Sequence, residues 1–377
     1  MKQSCLIIAG EKSGEDHAMT FYPQIKQLLP DTEFYGVGGS RLEEQGLEIL
    51  YHLKDFSGIG ISEVLGKIPF YYRALDHILD EVKKRETKTA ILVDFQGFNL
   101  KLAKKLKARG IKVLYYVAPQ AWVWKPWRAK ILEKNVHTLF TILPFEKKWF
   151  QDRGVTNVKS VLHPLMLEYS EHLTHIRKRS SDNISKSKSK LLILPGSRNV
   201  EVSTLFPIFT RGVQILQEEG FEFELGIVKS ESVRDEHYHT DLNFSKEWDS
   251  RDLAEALDWA DLSVAASGTV TLATGLFQVP TVVCYKVSLF TEFVLKLLVP
   301  YDGPASLTNI ILGNKMIFPE LIQHHADRYN VAKHLRQLLL NPEMYDNMII
   351  ELAKTSKLLT GDDFSVPDYM ADVIKST

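Results

Sequence analysis

Cysteine is scarce in this chain, with only Cys5 and Cys284 among 377 residues. Both lie in apolar runs that predict strands, so we expect reduced core thiols of a cytosolic protein rather than a disulfide framework. An excess of either charge is also missing, because 46 basic residues face 47 acidic ones and leave a formal net charge of −1. This balance argues against nucleic acid as a partner, since a duplex-binding surface usually requires a basic excess.

Long hydrophobic runs are missing as well. No stretch reaches the roughly 18 uncharged apolar residues of a membrane-spanning helix. The first residues, MKQSCLIIAGEKSGEDH, pass from a strand into a polar turn without the apolar core of a signal peptide. We therefore expect a cytoplasmic protein.

Three signatures of bound groups are absent too. The chain has no GxGxxG dinucleotide fingerprint at its glycine-rich turns and no GxxxxGK[ST] P-loop. Its 12 histidines show no HExxH or other metal-ligand spacing. We predict neither a metal nor a cofactor.

The residues that are present predict an α/β protein of two domains. With 45% hydrophobic and 25% charged residues the composition is globular, and 377 residues exceed one compact core. Short apolar runs alternate with helical stretches, which predicts two Rossmann-like, doubly wound parallel-sheet domains. The predicted strands are residues 4–9, 33–36, 91–94, 110–116, 138–143, 191–194, 221–227, 262–266 and 281–285.

The predicted boundaries follow a change in composition. Residues 1–170 form the first domain and residues 191–359 the second, and the tail 360–377 is predicted to pack back on the first. Between them, residues 171–190 are rich in serine and basic side chains, which predicts a flexible linker or loop.

The stretch LLILPGSRNVEV, residues 191–202, lies near the middle of the chain and predicts a strand, a tight turn and a helix start. Helix N-terminal amides attract anions, glycine permits close approach, and an arginine fork holds two phosphate oxygens. Gly196, Ser197 and Arg198 are therefore candidates for a diphosphate cradle. An ordinary surface turn with an exposed arginine explains the same residues.

Other short motifs also follow predicted strands, and ligands of parallel sheets bind at the carboxyl ends of the strands. In the first half these are GEKSGEDH, VDFQGFN, VAPQAWVW and LPFE; in the second they are LPGSR, ASGT and TNIILG. The ASGT turn, with Ser267, Gly268 and Thr269, either holds a second side of a phosphate or caps a helix.

Taken in order, AGExSGE, GVGG, VLG at residues 64–66, DxxxFN, YVxPxxWxW, LPFE, HP, LPGSRxxEV and ASGT resemble the lipid-A-disaccharide synthase family over nearly the whole chain. The resemblance implies a GT-B architecture, in which two Rossmann-like domains face a central cleft that holds a nucleotide sugar. It implies transfer of a sugar from UDP-2,3-diacylglucosamine to 2,3-diacylglucosamine 1-phosphate (lipid X), giving a β-1,6 disaccharide and UDP. The implied setting is the cytoplasmic face of a Gram-negative inner membrane, and a homodimer is a further expectation.

Inversion at the anomeric carbon requires a base on the acceptor hydroxyl and stabilisation of the departing diphosphate. Asp94 is the predicted base, because it ends a buried strand where desolvation favours the protonated form. Capping of the following helix is its alternative role. Arg198, with the two turns, is predicted to take the charge that grows on UDP. The remaining assignments are diphosphate or nucleotide contacts at Gly196, Ser197, Ser267, Gly268, Thr269 and Asn309, and substrate contacts at Glu11, Ser13, His17, Asn99, Trp122 and His163.

Some of these assignments have structural alternatives. His17 and His163 also fit hydrogen-bonded structural histidines. Trp122, Trp124 and Trp127 either line the acceptor pocket or pack between domains.

Two positions depart from the family pattern. Ala273 stands where the family usually has a glutamate, an acid that commonly binds the ribose hydroxyls in GT-B transferases. Either Thr274 substitutes weakly for it or backbone groups hold the ribose. Gly97 stands where the family often has a second acidic residue, which leaves Asp94 as the only carboxylate of that motif.

Acyl chains require an apolar surface, and two stretches are candidates. An apolar stripe at helical spacing covers residues 59–82 and is mostly core, but its aromatic cluster at residues 69–72 is a candidate lipid interface. Residues 290–299 form the second candidate, with a buried helix as the alternative.

Two alternative functions use the same motifs. One is another UDP-sugar GT-B enzyme, such as an N-acetylglucosaminyl transferase or an epimerase. The other is a non-catalytic nucleotide-sugar binding protein, which the missing acid at Ala273 suggests.

Overall fold

The computed structural model describes residues 3–56, 68–184, 189–287 and 303–377. The chain divides into two compact units, the first made of Met1–Leu167 with Leu359–Thr377 and the second of Glu168–Leu358. The VLG motif at residues 64–66, the apolar segment 290–299 and the start of the 59–82 stripe lie outside the described residues.

The first unit is built on a sheet of seven parallel strands in the order β3-β2-β1-β4-β5-β6-β7. The strands are β1 Ser4–Ala9, β2 Glu33–Gly38, β3 Glu48–His52, β4 Thr89–Val93, β5 Lys112–Tyr116, β6 Thr138–Thr141 and β7 Val158–Ser160. The order reverses between β1 and β4, where Ala9 pairs with Val93. At such a reversal the loops that leave the two strands diverge to opposite faces and open a crevice.

Helices cover both faces of this sheet. They are α1 Lys12–Met19, α2 Tyr22–Leu28, α3 Ser40–Glu44, α4 Leu53–Phe56, α5 Ile68–Lys84, α6 Gln96–Lys107, α7 Arg128–Asn135, α8 Glu146–Gln151 and α9 Pro164–Glu168, whose last residue belongs to the second unit. Alternate residues of β1 supply two separate cores, Leu6 and Ile8 on one face and Cys5, Ile7 and Ala9 on the other. Burial on both faces explains the continuous apolar runs of the central strands.

The second unit repeats this plan with six parallel strands in the order β10-β9-β8-β11-β12-β13. They are β8 Ser189–Leu194, β9 Phe223–Lys229, β10 Lys246–Asp249, β11 Leu262–Ala266, β12 Thr281–Tyr285 and β13 Glu320–Ile322. The order reverses between β8 and β11, the strands that precede LPGSR and ASGT. The predicted pair of doubly wound parallel-sheet units is confirmed.

The remaining helices lie mostly in the second unit. They are α10 Ser170–Leu173, α11 Asn199–Glu218, α12 Leu253–Trp259, α13 Thr269–Leu276, α14 Leu307–Ile311, α15 Arg328–Leu340, α16 Pro342–Leu352, α17 Thr355–Leu358 and, in the first unit, α18 Val366–Lys375, with short 3-10 turns at Ser181–Asn183, Asp235–Tyr238, Ser250–Asp252 and Gln323–His325. Among the described helices, none is long and apolar enough to cross a membrane.

Residues 359–377 complete the first unit. Met370 and Ile374 of α18 are buried in the same core as Phe21 and Ile25 of α2. Ahead of α18, the carboxylate of Asp362 accepts a hydrogen bond from the Ser160 backbone N–H at 2.9 Å and pairs with Lys147 at 2.8 Å.

The segment predicted as a flexible linker is ordered in its described part. Arg179 is 7% exposed and donates to the carbonyl oxygens of Ala260 and Phe277 at 2.8 and 2.6 Å. Arg177 pairs with the buried Asp261 at 2.6 Å. These two arginines fix the segment to the rest of the second unit. Composition alone does not predict these contacts, because it does not distinguish a buried arginine from a solvated one.

Candidate active site

The turn that follows β4 has an unusual backbone. Asp94 and Phe95 are consecutive non-glycine residues with φ of 46° and 44°, in the left-handed region that L-residues rarely occupy. Two donors brace it, because the carbonyl oxygen of Asp94 accepts hydrogen bonds from Tyr115 Oη and Asn99 Nδ2, both at 2.9 Å. Such strain is kept only where its surroundings fix it, and it is commonly found at functional sites.

The carboxyl group of Asp94 lines a cavity of about 570 Å³, on whose wall Glu11 also lies. Burial, and next the negative charge of Glu11, raise the pKa of Asp94 from 3.8 to about 6, against the opposing hydrogen bond of the Phe95 backbone. Burial raises the pKa of Glu11 as well. Position 97, where the family often has a second acid, is a glycine, so Asp94 is the only acid of its own motif. The second carboxylate at the cavity belongs to Glu11, in the turn after β1.

The rest of the cavity wall is mainly apolar and aromatic. Its other lining residues are Phe56, Ile68, Tyr71, Tyr72, Leu75, Phe95, Gln96, Gly97, Phe98 and Lys101. Tyr72 is 54% exposed at this wall, with the Lys101 ammonium 5.2 Å from its ring centroid. Tyr71 and Tyr72 of the 69–72 cluster therefore border the same cavity as the predicted base.

Asn99 lies beneath this turn and not on the cavity wall. Its side chain is fully buried and donates to the carbonyl oxygens of Val93 and Asp94 at 3.2 and 2.9 Å. Its contact with substrate stays a prediction, since in this structure the amide is enclosed by the protein. Asn99 positions Asp94.

Trp122 follows β5 in the neighbouring loop, and its indole N–H donates to Glu146 Oε1 at 3.0 Å. Glu146 is 1% exposed, and burial raises its pKa to about 7 despite hydrogen bonds from the Leu143 backbone and Trp122. This contact joins the WxW and LPFE motifs of the sequence, so the LPFE acid orients the loop that carries Trp122.

His17 and His163 come together in the first unit. Burial lowers both pKa values to about 4, and the charge of His17 adds to the effect on His163. The Nδ1 atom of His163 accepts a hydrogen bond from the Leu165 backbone at 3.2 Å. Both imidazoles are therefore neutral at physiological pH, and the buried Nδ1 atom of His17 has no hydrogen-bond partner among the described residues.

Ser13 occupies an exposed position in the first turn of α1, after Glu11 at the N-cap. The helix begins at Lys12 and ends at Met19, and α2 starts separately at Tyr22 with Pro23 in its first turn. The break between the two helices arises because proline favours a helix start.

In the second unit, the PGSR turn follows β8 and leads into α11. Gly196 has φ of 115°, a conformation that favours glycine, and Arg198 is the exposed N-cap residue. The Ser197 amide is not vacant, however, because it donates to Glu201 Oε2 at 3.0 Å. A diphosphate that uses this amide must therefore displace a carboxylate.

Glu201 is a member of this site that the sequence analysis did not include, although its position in the helix indicates a contact with the turn. It is the third residue of α11, where a glutamate commonly reaches back to the amides of the preceding turn. Its charge and that of Arg198 both act on the hydroxyl of Tyr285, whose pKa burial raises most. Tyr285 ends β12 and is a further site residue that the sequence did not indicate.

The ASGT turn lies at the end of β11, next to β8 in the sheet. Gly268 and Thr269 are exposed at the start of α13. Ser267 uses its hydroxyl to donate to the carbonyl oxygen of Ala305 at 3.0 Å. Gly268 and Thr269 are thus accessible to a ligand, whereas Ser267 holds a neighbouring loop.

Asn309 is fully buried, and its assignment as a nucleotide contact stays a prediction. Its side chain exchanges hydrogen bonds with the backbone of Phe318, both at 2.9 Å, and donates to Glu320 at 2.7 Å. Glu320 in turn accepts from the Ala305 backbone at 2.7 Å. Asn309 therefore supports the loop that Ser267 contacts.

The position of the expected ribose-binding acid is closed. Ala273 is 1% exposed, and Thr274 is fully buried with its hydroxyl donating to the Thr271 carbonyl at 2.9 Å. Thr274 consequently cannot stand in for the acid. Across the described ranges, no group of three or more His, Cys, Asp or Glu side chains is arranged to hold a metal ion.

Solved structures that resemble this chain include a UDP-GlcNAc 2-epimerase and MurG. The UDP-GlcNAc 2-epimerase of Neisseria meningitidis, bound to UDP-GlcNAc, is 10% identical with a TM-score of 0.55, and each chain is covered to 100%. MurG of Acinetobacter baumannii is 14% identical with a TM-score of 0.54 and the same coverage. These likenesses show the fold, which is that of the GT-B glycosyltransferases and epimerases.

Sequence comparison narrows this class. The family model described as lipid-A-disaccharide synthetase matches residues 5–369. The lipid-A-disaccharide synthase of Myxococcus xanthus is 33% identical over 353 residues, which cover 93% of this chain and 91% of the relative. That of Nitrosococcus oceani is 32% identical over 91% of this chain and 88% of the relative. The chain belongs to the lipid-A-disaccharide synthetase family of glycosyltransferases.

Proposed function

We propose that this protein transfers 2,3-diacylglucosamine from its UDP donor to 2,3-diacylglucosamine 1-phosphate, forming the β-1,6 disaccharide 1-phosphate and UDP. Asp94 carries this proposal, because its carboxyl group lies on an aromatic-lined cavity of the first unit. An acid with a pKa of about 6 is largely ionised at pH 7 yet basic enough to accept a proton.

Asp94 accepts the proton of the acceptor 6-hydroxyl as that oxygen attacks the anomeric carbon of the donor. The bond between this carbon and the diphosphate oxygen breaks with inversion, and UDP leaves with the bonding electrons. The left-handed turn and its two hydrogen bonds support this role, since they fix the carboxyl group before substrate binds.

Arg198 stabilises the leaving diphosphate, together with the amides of the PGSR turn and the exposed start of α13 at Gly268 and Thr269. An arginine fork and helix N-terminal amides match phosphate oxygens. The exposure of Arg198 and the closeness of Tyr285 support a binding site at this strand edge.

The apolar cavity accommodates acyl chains of the acceptor. Phe56, Tyr71 and Phe98 pack edge to face or tilted around it, which gives a rigid apolar wall. The exposed Tyr72 and the neighbouring Lys101 suit the interface of an anionic bilayer. The protein therefore acts at the cytoplasmic face of the inner membrane of a Gram-negative bacterium, without nucleic acid, and a homodimer is its proposed assembly.

A different UDP-sugar reaction is the second candidate, because an epimerase and MurG share the fold. Simple binding of a nucleotide sugar is a third, since Ala273 offers no contact to ribose. An apolar cavity beside a carboxylate favours the acylated acceptor over both.

Product analysis with acylated and unacylated donors tests the function. The disaccharide should form only from acylated substrates, whereas epimerised or unacylated products would favour the second candidate. Asp94→Asn should lose at least about 100-fold in kcat while its UDP affinity remains unchanged. Transfer at the normal rate by this variant would remove Asp94 as the base. Flotation with phosphatidylglycerol vesicles tests membrane association, and Tyr72→Ser should weaken it.

A further inference from the structure

Arg128 is a buried cation without a counter-ion. Its side chain is 7% exposed, and its Nε atom has no hydrogen-bond partner among the described residues. Its Nη1 atom donates to Oε1 of Gln96, which is a neutral amide. Within the described ranges, no carboxylate forms an ion pair with it.

Burial of a charge is costly unless an anion or several hydrogen bonds compensate it. The Trp124 and Trp127 rings give partial compensation, with centroids 5.2 and 6.0 Å from the guanidinium carbon. Burial accordingly lowers the pKa of Arg128. The Arg128 guanidinium, with one amide and two aromatic rings around it, therefore lacks an anionic partner.

Arg128 does not line the cavity itself but contacts a residue of its wall. Gln96, which holds Nη1, lines the same cavity wall as Asp94. Arg128 also interacts electrostatically with Tyr115, whose hydroxyl donates to the Asp94 carbonyl. An anion that reaches Gln96 is therefore close to Arg128 and to the proposed base.

We propose that Arg128 binds the phosphate group of the acceptor sugar, which replaces Gln96 as the partner of the guanidinium. This inference rests on the proposed function for the identity of the acceptor, whose 1-phosphate is a dianionic monoester. Arginine matches such a group with two parallel hydrogen bonds, which a lysine cannot form. Arg128 thereby distinguishes phosphorylated from unphosphorylated acceptors.

The test compares 2,3-diacylglucosamine 1-phosphate with 2,3-diacylglucosamine as acceptors. The wild-type protein should prefer the phosphorylated acceptor in kcat/KM, and Arg128→Gln should reduce that preference by about 30-fold, the cost of a charged hydrogen-bonded contact. Arg128→Lys should restore it in part. Lys104→Met, which removes an exposed cation of α6 away from the cavity wall, serves as the control and should leave the preference intact.

Gln96→Glu provides a second variant that does not remove the cation. A carboxylate at this position supplies the missing anion, so we expect a higher melting temperature and a loss of preference for the phosphorylated acceptor. A melting temperature that is lower, with an unchanged preference, would overturn the inference, as would an unchanged preference in Arg128→Gln.

Calorimetric binding of the two acceptors separates this inference from the proposed function. If no transfer is seen but Arg128→Gln still weakens binding of the phosphorylated acceptor alone, the phosphate site stands without the reaction. If transfer proceeds and the variant does not change phosphate preference, the function stands and this site falls. Loss of binding to phosphatidylglycerol vesicles alone would assign the phosphate to a lipid headgroup and refute the acceptor.

Discussion

The hydroxyl of Tyr115 donates to the carbonyl oxygen of Asp94 at 2.9 Å, whereas its neighbour Tyr116 lies on the other face of β5 and contacts Thr20 Oγ1 at 3.4 Å. The hydroxyl groups of these adjacent tyrosines thus have different partners. One braces the backbone of the predicted base, and the other packs in the opposite core.

Tyr115→Phe should therefore reduce kcat by about tenfold with little change in KM, because one of two hydrogen bonds that hold the left-handed turn is lost. Tyr116→Phe is the matched control and should keep normal turnover. Steady-state kinetics of the two variants measures the difference. Equal effects of both substitutions would show that the hydroxyl of Tyr115 has only a packing role.

The stability of the protein should depend on the ionisation of Asp94. Burial raises its pKa from 3.8 to about 6, so the folded state holds the proton more tightly than the unfolded chain. Its contribution to stability is complete below pH 3.8 and is lost as pH rises through about 6.

Asp94→Asn cannot ionise, and we expect it to raise the free energy of unfolding at pH 8 by roughly 2 kcal/mol. The gain should shrink as pH falls toward 5. Urea unfolding at both pH values gives the comparison. A gain that does not depend on pH would mean that the Asp94 carboxyl is as well solvated in the folded protein as in the unfolded chain.

The acid limb of the kcat/KM profile should report the pair formed by Asp94 and Glu11. Activity falls as the base becomes protonated, and the charge of Glu11 raises the pKa of Asp94. Glu11→Gln should move this limb to lower pH by about half a unit. Asp16→Asn, which removes an exposed charge from the same helix, should not move it.

Glu201 should compete with UDP for the Ser197 amide. Glu201→Gln removes a negative charge from the turn, so we expect UDP to bind about three- to tenfold more tightly. Arg198→Ala should weaken UDP binding by a similar or larger factor, and calorimetry measures both. Weaker binding to Glu201→Gln would instead make the carboxylate a support of the turn.

Gly10 and Gly97 differ in the space available for a side chain near the predicted base. A Cβ atom at position 10 would lie 2.6 Å from Phe95 Cδ1, whereas one at position 97 meets nothing within 4 Å. Gly10→Ala should lower the free energy of unfolding by about 1–3 kcal/mol and reduce turnover. Gly97→Ala, inside α6, should stabilise the protein by about 0.5–1 kcal/mol.

The interior of both sheets was predictable from sequence, but their edges were not. The central strands are buried on both faces and therefore appear as continuous apolar runs, as in Leu262–Ala266 and Thr281–Tyr285, which were predicted with their observed bounds. The missed strands are β3, β7, β10 and β13, and each is an edge strand. They have only three to five residues, and β3 and β10 contain no fully buried residue, so the double burial that marks the central strands is missing from them.

The site was predictable as motifs but not in the direction of each side chain. Asp94 follows β4 and lines a cavity, whereas Asn99 and Asn309 are buried and hold backbone atoms. An asparagine that binds a ligand and one that braces a loop occur in the same kind of motif, because both functions use the same amide donor and acceptor groups. Only the position of Glu201 carried a sequence signal that was not used.

Residues 359–377 lie in the core of the first unit although the second unit precedes them in the chain. During synthesis, the second unit is therefore complete while the first still lacks α18. Until Met370 and Ile374 are synthesised, the apolar surface around Phe21 and Ile25 is left uncovered. The first unit is therefore the first to be synthesised and the last to be completed. A stop codon near the 3′ end of the gene would damage the N-terminal unit, which carries Asp94, and leave the C-terminal unit intact.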